Sequence, residues 1–254
     1  MKKVIVKNTL LILAATLLFA SCTADVKSKE KEYVKTTEIP IIVRDFVPYN
    51  VEYSFLEPYR NYDFHNLNSN MAGDFVLHTL DKDKKPVFNE ECDPADMNVQ
   101  SPESFAQWFR TIDGVNKEIK TSIEFLPVKE DPYKYGYYPS SFFLIDNQGF
   151  GNDETNGHNY NFTVESTFYL LYKKNLPITI RCSSDDDLWL FVNGKLLINL
   201  GNRHGYRTSE GTFDPKDYNA KPGDYIEVKL FKADRGTDVC TMDLSVSQDL
   251  YILK

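Results

Sequence analysis

The sequence predicts a mainly β protein, a β-sandwich with one short α-helix inserted, and three features predict it. Asn193-Gly194 stands between two apolar runs, 188–192 and 195–200, and that dipeptide supplies the two positive φ angles of a type I′ hairpin turn. Further β-rich segments bounded by turn residues recur at 39–46, 75–80, 121–126, 141–145, 161–173, 177–182, 225–232 and 239–247. Many short strands at such spacing argue for a sandwich rather than for alternating strand and helix. A single segment, opening at Ser101-Pro102, carries helical periodicity. At 254 residues the chain can bury a sizeable core without staples.

Lys2, Lys3 and Lys7 precede an apolar run over 10–20 and then Ser21-Cys22. A charged start followed by a short apolar stretch reads as a secretory signal, and the run is too short for an ordinary membrane span. Phe19-Ala20-Ser21-Cys22 resembles a bacterial lipobox, with a plain secretory signal and an incidental cysteine as the alternative. The resemblance implies a lipoprotein signal peptide over 1–21 and a lipid on Cys22. It also implies a bacterial cell-envelope protein anchored to a membrane, at the outer membrane or cell surface. Residues 22–38 are polar and read as a flexible tether, so the folded domain is expected over 39–250. Net charge is −8, falling to −11 once residues 1–21 and their three lysines are removed. That acidity argues against a nucleic-acid partner and is compatible with neutral sugars and divalent cations.

The β-branched run Ile39-Pro40-Ile41-Ile42-Val43-Arg44-Asp45-Phe46 is the expected entry strand, 47–72 reads as irregular, and 81–86 as a solvated turn. Ser101 can cap a helix, Pro102 suits its first position, and Phe105, Trp108, Phe109 and Ile112 form one apolar stripe. Gly114 then ends the helix in a left-handed conformation, and Trp108 belongs to the core. Alternation places Cys182 and Cys240 on the inward faces of their strands, and gives 225–232 one buried face carrying Ile226, Val228 and Leu230. A two-residue turn at Asn193-Gly194 sets Phe191 opposite Leu196 and Trp189 opposite Ile198.

Three consecutive carboxylates, Asp185, Asp186 and Asp187, lead into the first strand of that hairpin. On the residues alone two readings stand. The run is either a solvated acidic corner or a cation site that relieves like-charge repulsion beside an apolar strand. Asp146, Asn152, Asp153 and Glu154 do not have the spacing of an EF-hand loop. No pair or order of residues suggests catalytic carboxylates or a nucleophile, so the chain is expected not to be an enzyme.

The segment Ser-Asp-Asp-Asp-Leu-Trp-Leu-Phe-Val-Asn-Gly-Lys (184–195) resembles the signature of the fibro-slime domain. That family is a branch of the protective-antigen-type, calcium-dependent adhesin-like β-sandwich superfamily. Segments 39–46, 104–116, 142–163 and 230–240 resemble it too, so the likeness spans roughly residues 39–248. It implies a protective-antigen-type sandwich and non-catalytic, calcium-assisted recognition of carbohydrate or a cell-surface glycan in adhesion. A structural or protein-interaction envelope module with a purely structural cation site is the alternative. The resemblance implies Ca²⁺ as cofactor, held by Asp185 and Asp186, which are joined by a cis peptide in the adhesins, and by Asp238 of the 234–240 loop. It further implies ligand contacts from Asp187, His204, Arg235 and His158. Each histidine can equally bond backbone in a turn, and Arg235 can form a surface ion pair. Asp234 stands where the family commonly has Glu. In the superfamily the loop before the last strand lies beside the aspartate loop, which would make Cys182–Cys240 a possible disulfide. Two buried free thiols are the alternative, and Cys92 is left over.

Overall fold

The alternating apolar pattern resolves into two antiparallel sheets packed face to face. The structure, a computed structural model, describes residues 31–47, 60–64, 73–153, 157–174, 176–235 and 239–254. Its strands are β1 (Tyr33–Lys35), β2 (Glu38–Phe46), β3 (Asn116–Glu124), β4 (Leu126–Pro127), β5 (Tyr135–Tyr137), β6 (Phe162–Leu171), β7 (Ile178–Asp185), β8 (Leu188–Val192), β9 (Lys195–Leu200), β10 (Arg207–Phe213), β11 (Tyr225–Asp234), β12 (Thr241–Val246) and β13 (Leu250–Leu253). The first sheet runs β1-β13-β6-β11-β8-β9, with β2 also on β6 and β3 on β2; the second runs β10-β7-β12-β5-β4. Between them lies a core of Val164, Phe168, Leu170, Leu190, Val228 and Leu230 against Ile178, Ile180, Cys182, Met242, Leu244 and Val246. Each such side chain contributes about 1.5–3 kcal/mol by leaving water.

A second core covers the opposite face of the first sheet. Trp189, Phe191 and Phe231 have the other parity on β8 and β11. They pack with Phe46, Phe64, Phe75, Phe105, Trp108 and Phe109, most of which come from the long segment between β2 and β3. Strand β11 is therefore buried on both faces, Phe231 as fully as Leu230, and the single buried face read from its alternation is corrected. Among the described residues no such cover lies on the outer face of β10, where Thr208, Glu210 and Thr212 are exposed.

Several local expectations change for physical reasons. The helix, α1 (Pro102–Phe105), is one turn long. Ser101 and Ser104 cap it reciprocally, after which i→i+3 bonds from Gln107 to Ser104 and from Trp108 to Phe105 tighten the chain. Trp108 and Phe109 are still fully buried. Asn193 and Gly194 both take positive φ, 45° and 79°. Phe191 does face Leu196, but a bulge between Leu190 and Phe191 sets Trp189 opposite Asn199 instead of Ile198. Segment 141–145 is turn, 75–80 holds only isolated bridges, and the expected tether is shortened because Tyr33–Lys35 pairs with β13.

Asp45, at the end of β2, fastens the 146–152 turn to the sandwich. It accepts the Phe150 N–H, and its carboxylate fills the space that a Cβ at Gly149 would occupy, a residue at φ +63°. Burial pushes the Asp45 carboxyl up to about 7, while the Phe150 N–H and Lys117 pull the other way. The folded value lies above the unfolded one of 3.8. Stability from this group is therefore fullest below pH 4 and falls as pH rises toward 7. Asp45→Asn keeps the acceptor without the charge. In urea unfolding its advantage over the parent should be near zero at pH 4 and reach about 2–4 kcal/mol above pH 7.

Candidate functional site

Strand β7 delivers the acidic run to one end of the sandwich, where the loops before β10 and after β11 also arrive. The Asp185–Asp186 peptide is cis. Asp186 is 3% exposed, and its two oxygens accept the backbone N–H of His204 at 3.1 Å and of Arg235 at 3.0 Å. Asp187 is wholly buried. It accepts the Asn202 N–H at 2.6 Å and Nε of Arg235 at 2.8 Å. The Arg235 guanidinium also donates to the Asn98 carbonyl at 2.8 Å and to Oδ1 of Asn202 at 3.2 Å. It lies 4.9 Å from the Trp108 ring centre. Two carboxylates and one guanidinium thus tie together the β7–β8 corner, the 201–204 loop, the end of β11 and the segment carrying α1.

A second cation lies beneath the corner. Lys232 is fully buried, and its ammonium donates to the Asp185 carbonyl at 2.5 Å and the Ser184 hydroxyl at 3.3 Å. Burial works against this ammonium, but the surrounding acids, Cys240, Asp234, Asp186 and Asp185, hold it above the ordinary lysine range. Asp186 is raised, first by burial and then by the Asp187 charge, against the pull of Arg235 and Lys232. Asp185, Asp186 and Asp234 lie around Lys232, and Asp187 is paired with Arg235. Directly opposite Asp185 in the β7–β12 register stands Thr241, whose buried hydroxyl has no hydrogen-bond partner.

The structure brings some of the sequence-predicted residues together and reassigns others. Asp185 and Asp186 sit side by side, with Asp185 half-exposed. Asp238 and Cys22 lie outside the described residues. Asp187 and Arg235 are not ligand contacts; they form a buried ion pair with side-chain exposures of 0% and 1%. His204 is likewise corrected. It is buried, and its Nδ1 and Nε2 lie 2.7 and 3.1 Å from the carbonyls of Gly205 and Leu200, leaving neither ring nitrogen for a ligand. His158 belongs to another turn, with Nδ1 2.7 Å from Asp146 and its ring stacked on Phe143 at 3.8 Å. Cys182 and Cys240 are both buried and both free. Cys182 pairs with Leu244, four residues from Cys240 along β12 and so about 13 Å away, too far for a disulfide. Among the described residues no three His, Cys, Asp or Glu side chains converge as a metal cluster. Lys232 was missed, although its parity was visible: it continues the inward row of Ile226, Val228 and Leu230.

No family model matches the chain. It is homologous to the psi proteins of Dictyostelium discoideum. It is 33% identical to protein psiC over 160 residues, 58% of this chain and 31% of psiC. It is 32% identical to psiQ over 170 residues, 62% of this chain and 17% of psiQ. The chain spans about a third or less of the length of these relatives. Among solved structures, a PA14 sugar-binding domain from an RTX adhesin overlaps 40% of this chain and 55% of its own, at 20% identity and a TM-score of 0.28. An α-xylosidase from Xanthomonas citri overlaps 54% of this chain and 15% of its own, at 14% identity and a TM-score of 0.32.

The geometry separates the acids by role. Asp187→Ala leaves the Arg235 guanidinium buried without its carboxylate and should lower unfolding free energy by about 3–5 kcal/mol. Asp185→Ala, at a half-exposed position, should cost under about 1 kcal/mol. Denaturant unfolding of the two variants beside the parent tests this; equal losses would contradict the division.

Proposed function

We propose that the chain is a non-catalytic recognition module of the fibro-slime type that binds carbohydrate with the help of Ca²⁺ at the β7–β8 corner. The observation that carries this reading is the Thr241 hydroxyl, buried and without a hydrogen-bond partner, directly opposite Asp185 and next to Asp186. Carboxylate and hydroxyl oxygens are the donors a hard cation prefers. Asp185, Asp186 and the Thr241 hydroxyl would hold the ion. Ca²⁺ takes 6–8 oxygen ligands, so when bound it offers positions to vicinal sugar hydroxyls. Asp186 is also a structural residue, since removing it would strip two backbone N–H groups of their acceptor. Asp185 is therefore the position at which cation binding can be tested apart from folding.

Thermal melting of the chain in EDTA, excess Mg²⁺ and excess Ca²⁺ is the first test. Ca²⁺ at a hundredfold excess over its Kd should raise Tm by about 5–10 °C. Mg²⁺ should give a smaller shift, and Asp185→Ala should abolish the Ca²⁺ effect. Equal melting in EDTA and millimolar Ca²⁺ would reduce the corner to a fastening of the fold.

The same reading places the module on a bacterial envelope through lipid on Cys22, supported by the charged, apolar and Ser-Cys succession at the start of the chain. Cys22→Ser should move the protein from the membrane to the soluble fraction of its native host. Retention of the variant in the membrane fraction would refute the anchor.

A further inference from the structure

The outer face of the second sheet carries a polar pocket that the Asp185–Asp186 corner does not use. Cross-strand register builds its floor. Thr208 of β10 lies opposite Ser183 of β7, and Asp243 of β12 lies opposite Ser183 on its other side. One row along, Arg181 lies opposite Ser245. All of these share the outward parity, because Ile180, Cys182, Met242 and Leu244 take the inward one. The floor is therefore hydroxyl, carboxylate and guanidinium on three adjacent strands.

Two exposed tyrosines, one before β10 and one after β5, form its walls. Tyr206 enters just before β10 with 57% of its surface exposed, and its hydroxyl donates to Asp243 at 2.6 Å. Tyr138 follows β5 with 48% exposed, and its hydroxyl is 2.5 Å from that of Ser245. The Tyr138 ring lies across Gly136, where any Cβ would collide with it. Asp243 and Ser245 are two residues apart on one strand face, so the two anchor points are about 7 Å apart. The enclosed space is about 190 Å³, lined by Tyr138, Arg181, Ser183, Tyr206, Thr208, Asp243 and Ser245.

The cation in this pocket is already paired and its carboxylate keeps its charge, which narrows the class of ligand. Arg181 makes two 2.8 Å bonds to Glu130 and lies over the Tyr133 ring at 4.4 Å. It is thus neutralised and braced, and offers no free cation for an anion. Asp243 is held by Tyr206, and Ser183 is paired with Thr208 at 2.8 Å. What remains are aromatic faces beside an array of donors and acceptors with spare lone pairs. An apolar ligand would strand that floor. A ring with C–H bonds on its faces and hydroxyls at its rim satisfies both walls and floor.

We propose that this pocket binds a single pyranose ring without a metal ion. The ring lies beside the Tyr206 and Tyr138 rings, and its hydroxyls exchange hydrogen bonds with Asp243, Ser183 and Thr208. This site goes beyond the cation-assisted corner, since it needs neither Asp185 nor Ca²⁺.

Saturation-transfer NMR on the whole chain in EDTA tests it, with methyl β-D-glucopyranoside, methyl β-D-galactopyranoside and methyl α-D-mannopyranoside as probes. At least one should receive saturation on its ring C–H protons. Tyr206→Ala and Tyr138→Ala should each weaken that binding about tenfold. Thermal melts confirm folding, and Tyr206 is exposed enough for its variant to remain native even where Tyr138→Ala does not. No transfer to any of the three probes, or equal transfer in parent and Tyr206→Ala, would overturn the proposal. Binding that appears only with Ca²⁺ and disappears in Asp185→Ala would also overturn it, while supporting the corner as the sugar site.

Discussion

The buried ion pair between Asp187 and Arg235 is the constraint on which the rest of this structure depends. Taking two charges out of water costs several kcal/mol per ion, and the attraction offsets that only where every remaining donor and acceptor is met. Here they are met: the guanidinium reaches Asp187, Asn202 and the carbonyls of Met97 and Asn98. Those partners belong to different parts of the chain, so satisfying one arginine fixes three loops at once. Asp186 repeats the device with backbone donors from His204 and Arg235. A hydrophobic contact would tolerate small sliding of these loops, whereas hydrogen-bonded charges fix their register.

That fastening produces an asymmetric sandwich. The segment between β2 and β3 brings Phe64, Phe75, Phe105 and Trp108 onto the outer face of the first sheet and closes it with aromatic contacts such as Phe75 on Trp189 at 5.2 Å. The second sheet has a polar outer face. Its cross-strand pairs, Ser183 with Thr208 and Thr179 with Thr212 at 2.9 Å, are polar. The β7–β8 corner and the polar outer face of the second sheet both use residues of β7. Successive β7 side chains divide the work: Ile180 and Cys182 fill the core while Arg181 and Ser183 lie on the opposite face of the strand.

Much of this fold was legible because local chemistry and global packing agree. The Asn193-Gly194 turn, the strands flanking it, the Ser101 cap and the inward parity of Cys182 and Cys240 all follow from spacing alone. The failures share a cause. Phe231 reads as an outward position until a second core is known to cover it, and nothing local announces which face an insertion will choose. The bulge at Leu190 that moved Trp189 opposite Asn199 is a one-residue adjustment set by tertiary packing. Strand β10, Arg-Thr-Ser-Glu-Gly-Thr-Phe, escaped notice because its outward face is exposed, and Gly211 lies where Leu197 would meet any Cβ. The acidic run was visible as chemistry, but the split between Asp185 and its two neighbours was not. Sequence shows three like charges and cannot show which of them finds backbone donors.

The inward-facing lysine gives the corner its particular balance. A corner with no internal cation would have to capture a metal before it could fold, as small metal-dependent domains do. A corner whose four carboxylates met four internal cations would have nothing to offer a further one. Lys232 and Arg235 lie between these limits, with the half-exposed Asp185 at the edge. Their positions are not interchangeable. Arg235, with a planar fork and five donors, serves the pair that must hold loops in register; Lys232, a point charge on a flexible stem, lies under a backbone carbonyl and a hydroxyl. The domain can thus assemble on its own charges and still present an acidic edge to whatever binds there.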